Sequence, residues 1–169
     1  MGEAALHEAA LAVGARSVFR AIVVGTLVAG TLDICAAILS WLGRGVPPGR
    51  ILQSVASGVL GQNAFSGGAT TAALGLLLHF AIMCVIVAVF MLASRRLPIL
   101  TPRALLAAVS CGVAYGVAVY LVMTYVVVPL SASPIRTPSL RDLMQGIAVH
   151  VACVGIPIAL IARWLMPRS

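Results

Sequence analysis

The sequence predicts an all-α integral membrane protein: a four-helix bundle with a short interfacial helix between spans one and two. Two observations carry this prediction. Of 169 residues, 62% are hydrophobic and only 9% are charged, whereas a soluble domain has about 25% charged residues. The apolar residues also fall into four long runs, separated by short stretches that hold most of the arginines. We expect a single transmembrane domain over residues 1–169.

Each of the four apolar runs is long enough to cross about 30 Å of hydrocarbon at about 1.5 Å per residue. They cover residues 18–42, 71–94, 103–130 and 143–166. Continuous apolar runs predict helices, because the strands of a barrel would alternate polar and apolar residues. Trp41 and Trp164 fall at the ends of spans one and four, where amphipathic rings prefer to lie.

The connection between spans one and two predicts a helix of its own. Pro47 and Pro48 open it, and apolar residues then recur at helical spacing: Ile51, Leu52, Val55, Val59 and Leu60. One interpretation is a helix lying on the outer membrane face. The other is an ordinary loop helix packed over the end of the bundle.

The arginines predict the orientation. One side of the membrane receives Arg16, Arg20, Arg95, Arg96, Arg103, Arg163 and Arg168, and the other receives Arg44, Arg50, Arg136 and Arg141. Basic residues concentrate on the cytoplasmic side, so we expect a multi-pass protein of a bacterial inner membrane with both termini in the cytoplasm. No basic cluster with interleaved aromatic residues is present, which argues against nucleic acid as a partner. The expected partners are the lipid bilayer and either other membrane subunits or a second copy of the chain.

Small residues predict close helix packing. Span one carries a face of small and polar residues at helical spacing: Thr26, Ala29, Gly30, Asp33, Ala36, Ala37 and Ser40. Span three has Gly112 and Gly116 four residues apart, a spacing that lets two membrane helices approach closely within one chain. In span four, Pro157 is expected to kink the helix or mark a close contact.

Each span brings one polar side chain to a similar estimated depth, about 10–12 Å below the outer interface. These side chains are Asp33, His79, Tyr120 and His150. Charged groups inside a membrane usually face the bundle interior and find partners there. We therefore predict that the four residues form one layer, which is a candidate ligand or proton site.

Three interpretations of this layer remain open. The first is a hydrogen-bonded lock that only fixes the packing of the helices. The second is a b-type haem held by His79 and His150, since helix bundles build such sites from facing side chains. The third is a protonatable site centred on Asp33 in a proton-linked transport or acid-stress protein. A metal ion is not expected, because third and fourth ligands are not evident.

Several stretches of the chain resemble small four-span bacterial inner-membrane proteins of the YagU-like group. They are "ASGVLG", "AFSGG", "LHF", "ASRRLP" and "YLVMTYVVVPLSA". The resemblance covers most of residues 20–130. The resemblance implies a four-helix membrane fold. It implies no activity, ligand or functional residue. The loops are shorter here than in that group, and Asp33 is a departure from it.

The sequence favours a non-enzymatic protein. It contains no P-loop, GxGxxG, HExxH or GxSxG motif, each of which would indicate a known catalytic arrangement. Long apolar helices with few polar side chains favour an accessory or scaffolding subunit of a larger membrane complex. The two alternatives are a haem-binding electron-transfer protein using His79 and His150, and a proton-linked protein using Asp33.

Overall fold

The computed structural model describes residues 2–134 and 137–166, with side chains placed from residue 14 onward. Two of the arginines counted for the orientation, Arg136 and Arg168, lie outside the described residues. The described part consists of helices joined by turns and contains no strand, and four of its helices are long and apolar enough to cross a membrane. The prediction of an all-α, four-helix membrane bundle is confirmed.

The four spans and the helix between the first two have these bounds. Span one is Gly14–Leu42, within a helix that begins at Gly2, and the loop helix is Pro48–Leu60. A 3₁₀ turn, Gly61–Phe65, leads to span two, Gly68–Arg96. Span three is Leu105–Leu130 and span four is Leu140–Leu165. We call the end of the bundle that carries the loop helix the loop-helix end.

Span one packs between spans two and four, and span four packs against span three. The buried core combines Val18, Ala21 and Ala29 of span one with Val87, Phe90 and Met91 of span two and Val154, Ile158 and Ala162 of span four. Spans two and three are joined through Tyr115, whose hydroxyl donates to the Ile86 carbonyl at 2.6 Å. Most of this core therefore lies in the half of the bundle away from the loop-helix end.

Spans three and four meet backbone to backbone. A Cβ added to Gly116 would lie 2.7 Å from both the His150 carbonyl oxygen and the Val151 Cα, and one added to Gly112 would lie 2.7 Å from the Ile156 Cα. Only glycine allows this approach, as the spacing in span three predicts. The contact falls along a π-helical segment of span four, His150–Gly155.

Both π-helical segments in the described chain end shortly before a proline. His150–Gly155 precedes Pro157, and Met123–Val127 precedes Pro129. A proline inside a helix provides no N–H, and its ring collides with the carbonyl four residues earlier. A wider π turn moves that carbonyl away while the helix continues. The expected disturbance at Pro157 thus takes the form of a π-helical segment.

The loop helix packs on the first part of span two. A Cβ at Gly75 would collide with the Leu52 carbonyl, so the two helices touch through their backbones. Gln53 is buried and its amide donates to the Gly68 carbonyl at 3.0 Å. The loop after span three joins this helix, because the Ala132 N–H donates to the Gly58 carbonyl at 2.9 Å. The loop helix is therefore tied to the bundle by polar as well as apolar contacts.

We expect Gly116→Ala to destabilise the protein. The added methyl would meet the backbone of span four, which cannot rotate away as a side chain could, and such overpacking typically costs about 1–3 kcal/mol. Unfolding in mixed micelles, followed by helical circular dichroism, measures the change.

Gly14→Ala is the matched control for this substitution. Nothing lies within 4 Å of a Cβ at Gly14, so the change should be neutral or add up to about 1 kcal/mol of helix propensity. Equal stability of the two variants would show that spans three and four do not touch at Gly116.

Candidate functional site

A cavity of about 260 Å³ lies between spans one, three and four, towards the loop-helix end. We call it the Asp33 cavity. Its polar lining residues are Asp33, Ser40 and Arg44 from span one and the turn after it, Tyr120 from span three, and Asp142, Gln145 and His150 from span four. Trp41, Ala37 and Val149 supply part of the apolar wall. Three of the four residues predicted to form a polar layer therefore line one cavity.

The Asp33 side chain is half-buried, nine residues before the end of span one at Leu42. At about 1.5 Å per residue it lies about 14 Å from that end. Among the described side chains, Arg44 forms an ion pair with Asp142, and no hydrogen bond reaches the Asp33 carboxylate. Its four lone-pair sites are thus available to whatever fills the cavity.

His150 presents one free ring nitrogen. Its Nδ1 lies 3.0 Å from the Gly146 carbonyl oxygen, and because a carbonyl only accepts, Nδ1 carries the hydrogen. In the neutral ring, Nε2 is then an acceptor. The Tyr120 ring packs edge-to-face on His150 with ring centroids 5.3 Å apart. These two contacts fix the orientation of the imidazole.

Tyr120 reaches His150 across a glycine. A Cβ at Gly146 would lie 2.8 Å from the Tyr120 Cζ atom, so a larger residue there would displace the phenol. Tyr120 is 7% exposed. Its hydroxyl has no hydrogen-bond partner among the described residues, which leaves it able to donate or accept inside the cavity.

Arg44 forms the rim of the cavity. Its guanidinium donates to Asp142 and to the Gln145 side-chain oxygen, and it lies 4.7 Å from the centroid of the Trp41 ring. Asp142 is held in place by a capping box. Its backbone N–H donates to the Ser139 hydroxyl, and its carboxylate accepts from the Ser139 backbone N–H. The rim therefore ties the end of span one to the first turn of span four.

The sequence did not single out Arg44, Trp41, Asp142 and Gln145 as site residues. In the sequence, Arg44 is a topology signal and Trp41 is an interfacial ring. A signal was present in "SLRD", residues 139–142, where Ser and Asp three apart predict a capped helix start. Nothing in the sequence indicates that Arg44 would reach across to that start.

His79 lies apart from the other three residues. It is 7% exposed in span two, and its Nε2 is 2.9 Å from the Gly30 carbonyl oxygen of span one, so Nε2–H donates that bond. His79 does not line the Asp33 cavity. It pins span two to span one, a role that corresponds to the lock interpretation.

The positions of His79 and His150 do not fit a haem held between them. The Nε2 of His79 is engaged by the Gly30 carbonyl, and its ring packs edge-to-face on Phe80 at 5.3 Å. A shared haem would have to break this bond and separate spans one and two. Among the residues the structure describes, no three His, Cys, Asp or Glu side chains are grouped as a metal site requires.

We expect Arg44→Ala to expose the Trp41 ring. The guanidinium covers that ring, so its removal should raise quenching of Trp41 fluorescence by acrylamide. The measurement uses a Trp164→Phe background, because Trp164 is 79% exposed and would dominate the signal.

Arg50→Ala provides the control, since Arg50 stacks on Phe65 rather than on Trp41. Quenching that is the same in both arginine variants would contradict the closed rim.

No protein-family model, curated protein or solved structure matches this chain. The function of the Asp33 cavity is therefore argued from the residues that line it.

Proposed function

We propose that the chain is a small proton-linked membrane protein, acting in transport or in the response to acid, with Asp33 as the proton-binding group. One observation carries the proposal. The Asp33 carboxylate lies in a cavity inside a membrane bundle, and no described side chain pairs with it. Ionisable residues in such positions are costly and typically belong to ion pathways or proton relays.

The neighbours of Asp33 suit proton transfer. Neutral His150 offers Nε2 as a proton acceptor, and the Tyr120 hydroxyl can donate and accept. Both residues line the same cavity as Asp33. A proton entering the cavity thus meets three groups able to hold or pass it.

The ion pair at the rim leaves the charge of Asp33 without a counter-ion among the described lining residues. Arg44 is the one cationic side chain among the described lining residues, and it is bonded to Asp142. Protonation of Asp33 consequently changes the net charge of the cavity from negative to neutral. Such a change in charge is the kind of event that can shift the balance between two conformations.

An accessory role in a larger complex is the second candidate. A largely apolar groove of about 400 Å³ runs between spans two and three, lined by Val85, Val89, Val122 and Met123 among others. The volume and apolar lining of this groove suit a partner helix or a lipid chain. Partner capture in mild detergent, compared between the wild type and Val89→Trp, would test this role.

We also propose that the chain shares a four-span fold with YagU-like proteins, on the basis of the resembling stretches. Two of the resembling stretches lie in the loop helix and in the turn that follows it. The Gly58 carbonyl of "ASGVLG" accepts a bond from the Ala132 N–H, and the Ala64 carbonyl of "AFSGG" accepts a bond from the Thr71 hydroxyl.

We further propose a bacterial inner-membrane location with both termini in the cytoplasm. Arg95 and Arg96 in the last turn of span two support it. Alkaline phosphatase should then be active when fused after Leu60 and inactive when fused after Arg96. The reverse pattern would place the Asp33 cavity on the cytoplasmic side.

We expect Asp33→Asn to abolish proton movement through the protein. The wild type, reconstituted in liposomes with a trapped pH-sensitive dye, should dissipate a pH gradient faster than empty liposomes. Removal of a positioned proton-transfer group should slow this by roughly a hundredfold or to the empty-liposome rate. Infrared difference spectra across a pH titration should also lose a carboxyl band.

Glu8→Gln removes the same charge from the segment before span one and should leave both measurements unchanged. Proton flux and carboxyl bands that are identical in Asp33→Asn and the wild type would refute the proposal.

A further inference from the structure

We propose that the Asp33 cavity binds small primary ammonium ions in exchange for the proton on Asp33. This inference rests on the proposed function, which makes Asp33 the proton-binding group. It adds the chemical class of the second ligand.

The charge of the cavity selects a cation. Its described charged lining residues are Asp33, Arg44 and Asp142, and the last two neutralise each other at the rim. Asp33 is left as the uncompensated charge, set well inside span one. Opposite charges attract more strongly in such a low-dielectric setting than in water, so the cavity favours a positive ligand and disfavours an anion.

The hydrogen-bonding groups select a cation that carries N–H donors. Three groups in the cavity can accept without breaking a bond to the described residues: the Asp33 carboxylate, Nε2 of His150 and the Tyr120 hydroxyl. A primary ammonium has three donors, whereas a quaternary ammonium has none.

The size of the cavity restricts the ligand to a small molecule. Its volume of about 260 Å³ lies below the range of about 300–1,000 Å³ typical of pockets for drug-sized ligands. Ala37 and Val149 line it together with the polar groups. A short alkyl stem could pack against these two residues while the ammonium faces Asp33.

Acid should oppose the binding. The titratable groups that face Asp33 are His150 and Cys153 from span four, Tyr120 from span three, and Arg44 and Asp142 at the rim. Protonation of Asp33 removes the attracting charge. Protonation of His150 converts its acceptor into a donor and adds a positive charge. Both changes weaken ammonium binding as the pH falls.

The experiment measures the binding of ethylammonium and of tetramethylammonium to the full chain in phosphatidylcholine nanodiscs by titration calorimetry. Wild-type protein should bind ethylammonium saturably, at least about tenfold more tightly than tetramethylammonium, because a charged hydrogen bond contributes about 1.5–3 kcal/mol. Binding should weaken on acidification. This selectivity test needs no variant, so it holds even if a substitution disturbs folding.

The variants then locate the site. Asp33→Asn should weaken ethylammonium binding about tenfold or more, Asp33→Glu should retain part of it, and Glu8→Gln should leave it unchanged. Circular dichroism confirms that each variant is folded.

Three results would overturn the inference: no saturable ethylammonium binding, equal affinity for the two cations, or undiminished binding by folded Asp33→Asn. Proton flux that depends on Asp33 without ethylammonium binding would reject the ammonium ligand and retain the proton site. Flux and binding that both survive Asp33→Asn would reject the two together.

Discussion

The close approach of spans three and four at Gly112, Gly116 and Gly155 determines where His150 and Tyr120 lie in this protein. Membrane helices gain little from hydrophobic association in lipid, so they depend on backbone contact of this kind. Gly116 lies against the His150 carbonyl, which holds that histidine at the helix interface. Tyr120, one turn further along, then reaches over Gly146 to the imidazole. The inner wall of the Asp33 cavity follows from this contact.

The depth of the polar residues could be predicted from the sequence, but their direction around the bundle could not. Counted from the loop-helix end of their spans, His79, Tyr120 and His150 all lie about 15–17 Å deep, close to the level of Asp33. Hydropathy and helix rise fix that depth. Which residues meet depends on the order of helices around the bundle, and span two packs more extensively on span one than on span four. His79 consequently bonds to Gly30, away from the cavity.

The span count and the loop helix could also be predicted, because each depends on local composition and spacing. The rim and the π-helical segments could not. Arg44 meets Asp142 across 98 residues of sequence, and no local pattern encodes so distant a pair. Pro157 indicates a disturbed helix, but a proline alone does not specify whether the chain responds with a kink or with a π turn.

The bond between the Ala132 N–H and the Gly58 carbonyl has a consequence for assembly. It joins the hairpin of spans one and two to that of spans three and four, and the Ser57 and Ser133 hydroxyls, 3.0 Å apart, reinforce it. Ala132 follows the first hairpin in the chain, so it is synthesised after the loop helix. Until then, Gly58 and the buried Ser57 have no contact with the later loop. The polar contacts at this end of the bundle are therefore completed only when the last hairpin arrives, which makes them a marker of finished insertion.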